Sequence, residues 1–176
     1  MHNLTDLLAK TKRMMEAKGV NDILITSDQR LLYNTVVVRW GKTLTYHRLG
    51  SYAVKQNLIT ISRSLEDAPE FVVIADIWHE LLHVHFNRKQ GNKAHSRLFH
   101  IYEERCPQFK DAEKYMRELC LKIYCKKHPK AHIVERNGKT YVSTPSSAPV
   151  RSSSVRAMDM IQSILNKNVF HTEEDD

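Results

Sequence analysis

Two histidines four residues apart, with a glutamate directly after the first, stand in Trp78-His79-Glu80-Leu81-Leu82-His83. Residues four apart on an α-helix differ by about 40° in azimuth and one turn in height, so both imidazoles of such a pair face one cavity. They can share a zinc ion about 2.0–2.1 Å from their nitrogens. Glu80, next to the first histidine, can reach a metal-bound water without being a ligand. Zinc lowers the pKa of that water towards about 7, and a carboxylate can take its proton. Metal-assisted hydrolysis of a peptide bond is the chemistry that this pattern serves.

A catalytic zinc needs a third protein ligand and one open position. The candidates are His85, His95, His100, Glu103 and Glu104. His85 lies two residues beyond His83, roughly 200° away around the same helix, which makes it a core or surface residue. His95 opens the segment after Gln90-Gly91-Asn92, where a chain reversal can return it to the metal. Geometry therefore favours His95 over a glutamate. Five of the ten histidines, His79, His83, His85, His95 and His100, fall within this one stretch, which concentrates the chemistry there.

Several elements must position these groups. Leu4 to Lys18 reads as a helix with an apolar face of Leu4, Leu7, Leu8, Met14 and Met15. Asn3 or Thr5 caps it and Gly19 stops it. Thr35 to Trp40, Leu44 to Tyr52 and Asn57 to Ser62 read as strands of a small, mostly antiparallel sheet, with a turn at Gly41-Lys42. Phe71 to Phe86 is a strongly apolar helix carrying the histidine pair, led in by helix-start signals from Ser64 to Glu70. Ala94 to Arg105 and Gln108 to Cys125 read as helices separated by Cys106-Pro107, and Ile133 to Val142 as a hairpin turning at Asn137-Gly138. The fold class expected is α+β. Residues 1–142 form the domain, 143–156 are a Ser/Pro/Arg-rich linker, and 157–176 hold a short amphipathic helix and an acidic tail.

Charge is uneven. Of 176 residues, 27 are Lys or Arg and 20 are Asp or Glu, a net charge of +7. Phe86 to Val142 alone holds 14 basic and 6 acidic residues, so the rest of the chain is near neutral. Lys122, Lys126, Lys127, Lys130, Arg136 and Lys139 crowd together with only Glu135 opposing them, and Tyr124 and Tyr141 supply aromatic faces. That pattern suits a polyanion such as a nucleic acid, with rings that could stack on unpaired bases, and equally a solvated basic surface. No run of about 18 apolar residues occurs. The amino terminus lacks a signal peptide's apolar region, and three cysteines make no disulfide framework. A cytoplasmic, nucleoid or nuclear protein is expected, with no membrane partner.

Leu49 to Pro107 resembles the SprT-like zinc metalloproteases, the family that includes Spartan. Gly50 and Asn57-Leu58-Ile59-Thr60-Ile61-Ser62 are similar to the family's strand before the active-site helix. His79-Glu80-Leu81-Leu82-His83 matches its metal helix. His95-Ser96-Arg97-Leu98-Phe99 matches its H-x-x-x-F element, which supplies the third ligand. The resemblance implies a zincin-like fold and an endopeptidase with one catalytic zinc on His79, His83 and His95 and Glu80 as the base. It also implies DNA repair work on proteins bound or crosslinked to DNA, single-stranded or junction-like. The chain departs from the family in Ser96, where Gly is common, and in lacking the C-x-x-C pairs of its carboxy-terminal zinc ribbon. Cys120, Cys125, His128 and His132 have an imperfect spacing for a second site.

Two other readings stand beside the protease. In one, the chain is a nucleic-acid-binding module with a structural zinc closed by Glu103 or Glu104. In the other, it is a dedicated peptidase with no nucleic-acid role. Tyr102, Tyr115 and His47 are candidates for an added hydrogen bond to the oxyanion.

Overall fold

The computed structural model describes residues 2–23, 26–42, 48–86 and 95–129, together with the strand backbones at 132–136 and 139–143. Helix α1 spans Leu4–Ala17, and the Asn3 side chain caps it by accepting from the Thr5 and Asp6 amides. Its face of Leu4, Leu7, Leu8 and Met15 is buried. Gly19 ends it at φ +66°, a conformation that residues with a Cβ rarely adopt.

Helix α2 spans Ser27–Thr35 where the sequence suggested no helix. Its start was legible as a capping box: Thr26 accepts from the Gln29 amide and Gln29 returns a bond to Thr26. Thr35, expected to begin a strand, instead closes the helix by bonding back to the Leu31 carbonyl.

The sheet corrects a second expectation. Strands β1 (Val37–Trp40), β2 (Gly50–Ala53) and β3 (Leu58–Ile61) lie in the order β1-β3-β2. β2 and β3 are antiparallel, but β1 and β3 are parallel, so the sheet is mixed. The alternation of apolar residues that marks a strand carries no information about which neighbour it pairs with. β3 is central: the turn after Val54–Gln56 folds it back along β2, and its other edge pairs with β1. Asn57 makes that turn in a left-handed conformation, and its amide is bonded to Leu32 and Thr35. The second strand begins at Gly50 and not at the expected Leu44, and residues 44–47 of the expected strand lie outside the described residues.

Helix α3 spans Glu70–Phe86 and runs through the middle of the α+β unit, packing against α1, α2, β2 and β3. Val72, Val73, Ile77, Trp78, Leu81 and Leu82 are fully buried, which explains why its sequence is apolar on nearly every side. Helix α4 spans Arg97–Glu103 and begins three residues later than Ala94, because Ser96 caps it through the Phe99 amide. The Trp78 indole donates to the Tyr102 carbonyl at 3.0 Å and ties α3 to the end of α4. Helix α5 spans Phe109–Lys127.

The chain divides into two units, Met1–Met116 and Arg117–Asp176. In the second, β4 (His132–Arg136) and β5 (Lys139–Ser143) form the expected antiparallel hairpin. The expected linker at 143–156 and the helix and tail at 157–176 lie outside the described residues, apart from Ser143 at the end of β5. Among the described residues no helix is long and apolar enough to cross a membrane.

Candidate metal centre

His79 and His83 project from one face of α3, and His95 reaches them from the residue just before the Ser96 cap of α4. The His79 and His83 Nε2 atoms are 3.2 Å apart, and those of His83 and His95 are 3.3 Å apart. Tetrahedral ligands at 2.0–2.1 Å from one ion are separated by about 3.3–3.4 Å. Two of the three pairs thus already stand at the spacing of a shared cation, and all three donors lie within 4.8 Å of one another. Among the described residues, these three histidines are the group able to hold a metal.

Phe99 holds the rings together. It is fully buried, with its centroid 5.1 Å from His79, 4.9 Å from His83 and 4.8 Å from His95. One turn further along α4 is Glu103, also buried. Its Oε1 lies 2.5 Å from His79 Nδ1 and its Oε2 lies 3.2 Å from His100 Nδ1. A donor at His79 Nδ1 leaves Nε2 with a lone pair for a metal, the arrangement by which carboxylates orient metal-bound imidazoles. Glu103 therefore stands behind His79, occupied by two imidazoles, and Glu104 is exposed. His100 braces Glu103, and His85 points away into the core, where it bonds the Leu81 carbonyl and packs edge-on against Tyr33.

The electrostatics favour a cation at this point. Burial pushes the His79 imidazole down, but the Glu103 hydrogen bond and the charges of Glu103, Glu80 and Asp76 overcome it and raise it to about 9. Burial, reinforced by neighbouring imidazoles, lowers His83 to about 3 and His95 to about 4, so both are neutral ligands at neutral pH. Glu80 is buried beside them. Burial raises its carboxyl to about 7, against the opposing effects of His79, Arg48 and the Tyr52 amide. A carboxyl near 7 exchanges protons readily at neutral pH.

An open cleft of about 350 Å³ gives access to these groups. Arg48, Ser51 and Val54 form part of its wall, with His79, Glu80 and His83 at its base. Arg48 escaped the sequence reading because a lone arginine in a connecting segment carries no pattern. Tyr102 and Tyr115 do not line this cleft, and the Tyr102 ring instead lies 4.3 Å below the Arg105 guanidinium. His47 is outside the described residues.

The second unit holds the expected nucleic-acid residues. Lys122, Lys126 and Lys127 are exposed on α5. Lys130 and the side chains of Arg136 and Lys139 lie outside the described residues, although the Arg136 and Lys139 backbones pair across the hairpin. Tyr124 corrects the sequence reading. It is buried, with Leu121 on the same helical face, and stacks on His128 at 4.3 Å, so its ring is not offered to a base. The Tyr141 side chain is outside the described residues. Cys120 and Cys125 are half-buried and His128 is exposed; they form no metal-binding group among the described residues.

No protein-family model matches the chain, and no curated protein matches it. Among solved structures, it is similar to the crystal structure of the metallopeptidase zymogen of Pyrococcus abyssi abylysin. The identity is 20% and the TM-score 0.41, over 61% of this chain and 92% of that one.

Proposed function

We propose that this chain is a zinc-dependent endopeptidase of SprT-like type that acts on proteins associated with or crosslinked to DNA. The observation that carries the reading is the convergence of the His79, His83 and His95 Nε2 atoms, 3.2 and 3.3 Å apart, beside a buried glutamate at the base of an open cleft. A set of three imidazoles suits zinc, a borderline-soft ion commonly bound by nitrogen. When bound, zinc supplies an acidified water and a positive charge that polarises the scissile carbonyl. Glu80 accepts the proton of the attacking water on its carboxylate and returns it to the leaving amine nitrogen. Glu103 fixes the His79 tautomer, and Phe99 fixes the spacing of the three rings. With Glu103 engaged by His79 and His100, the reading of a structural zinc closed by that residue loses its ligand.

The DNA side of the proposal rests on charge: exposed Lys122, Lys126 and Lys127, with Lys130, Arg136 and Lys139 following in sequence. Tyr124 burial weakens the case for base stacking and favours, as a second reading, a peptidase with no nucleic-acid role. Replacing Glu80 by Gln tests the shared core of both. Shape and metal are kept while the basic carboxylate is lost, so zinc content should stay at wild type and proteolysis should fall about 10²–10⁴-fold. Cleavage at the wild-type rate by Glu80→Gln would remove Glu80 from the mechanism.

A further inference from the structure

The apolar face of α3 is interrupted one turn before Glu80 by Asp76. The residue is only 6% exposed, and its Oδ2 finds no hydrogen-bond partner among the described residues. Such an atom lowers stability: a buried polar group without a partner costs about 1–3 kcal/mol, and an apolar replacement of similar shape is often neutral or stabilising. The fold gains nothing visible from Asp76, so its use is sought in the site.

Asp76 and Glu80 are four residues apart and share one face of α3. That face meets β2 at Gly50. A methyl group added at Gly50 would lie 2.6 Å from Glu80 Oε1 and 2.9 Å from each Asp76 oxygen, closer than real Cβ contacts allow. Both carboxyls therefore press against the bare Cα of Gly50. On another side of Glu80, the Tyr52 amide of β2 donates to its carboxylate.

We propose that Asp76 is a positioning residue for Glu80, holding its carboxylate against the Tyr52 N–H across the space that Gly50 leaves free. The inference rests on the peptidase reading for the task given to Glu80, and on the shared approach of the two carboxyls to Gly50 for their proximity. Burial, with the Glu80 charge adding to it and the His79 charge opposing it, pushes the Asp76 carboxyl up to about 8, and in its protonated form the O–H can donate to Glu80. An asparagine offers an N–H in the same place. An alanine offers nothing and frees Glu80 to turn.

The test uses the zinc-loaded full chain as wild type, Asp76→Ala, Asp76→Asn and Gly50→Ala, with labelled casein as substrate. Asp76→Ala should keep its zinc and melt at or above the wild-type temperature. Its kcat should fall about 10²-fold, the loss expected when a reacting group is misplaced by about 1 Å, with KM nearly unchanged. Asp76→Asn should recover most of kcat, and Gly50→Ala should lose kcat as Asp76→Ala does. Wild-type kcat in Asp76→Ala, or a melting temperature that drops sharply in both Asp76 variants, would overturn the proposal. If the wild type does not cleave casein, the peptidase reading fails, and the crystal structure of Asp76→Ala decides the contact. Glu80 should have left the Tyr52 N–H in that variant, and an unmoved Glu80 would overturn the positioning role.

Discussion

Around α3 each group with chemistry to perform is held by a named neighbour, whereas along α5 the charges stand on the exposed side of a helix. His79 is oriented by Glu103, Glu80 receives the Tyr52 amide, and all three imidazoles pack on Phe99. Lys122, Lys126 and Lys127 are exposed on the surface of α5. The difference is the one between a site that must fix atoms to within tenths of an ångström and a surface that needs only net charge. Single substitutions should therefore act strongly in the first region, and only combined ones in the second.

The comparison is sharpest at His95 and Glu103. His95→Ala removes one of three ligands, and metal analysis of the purified variant should show most of the zinc gone from a wild type holding about one equivalent. Retention of all zinc would break the ligand assignment. Glu103→Ala leaves the three ligands in place but frees the His79 ring, so zinc affinity should fall about 10–100-fold in a competition titration with a chelator. An unchanged affinity would mean that Glu103 only fills space.

The smallest effects belong to the basic segment. Replacing Lys126, Lys127 and Lys130 together by Glu should weaken single-stranded DNA binding and flatten its log–log salt dependence by about 2, near 0.7 per lost phosphate contact. Cleavage of a free unfolded protein should be nearly unaffected. Wild-type binding that is insensitive to salt would favour the peptidase with no nucleic-acid role.

These contrasts follow what the sequence could express. His79, Glu80 and His83 were legible because one helix turn fixes their spacing, and α3 itself because its apolar run is too long for a strand. His95 was the favoured one of several candidates by geometry, since the spacing along one helix does not say which residue beyond it completes the set. Glu103 was read as a candidate metal ligand and not as the partner of two imidazoles, because that role depends on how α4 packs on α3. Asp76 and Gly50 meet only in three dimensions, and Arg48 had no pattern at all. The parallel pairing of β1 with β3 was hidden for a related reason: alternation specifies a buried face and not a neighbour. Tyr124 misled because an aromatic residue in a basic run looks the same whether its ring faces in or out.

The most direct test of the account is a crystal structure of the zinc-loaded protein with the metal located by its anomalous signal. The account predicts one zinc bound by the Nε2 atoms of His79, His83 and His95 at about 2.0–2.1 Å, with no protein atom in the fourth position. Glu80 should lie beside that position and Glu103 on the far side of His79. Zinc held by a fourth protein side chain, or bound away from these three histidines, would contradict it.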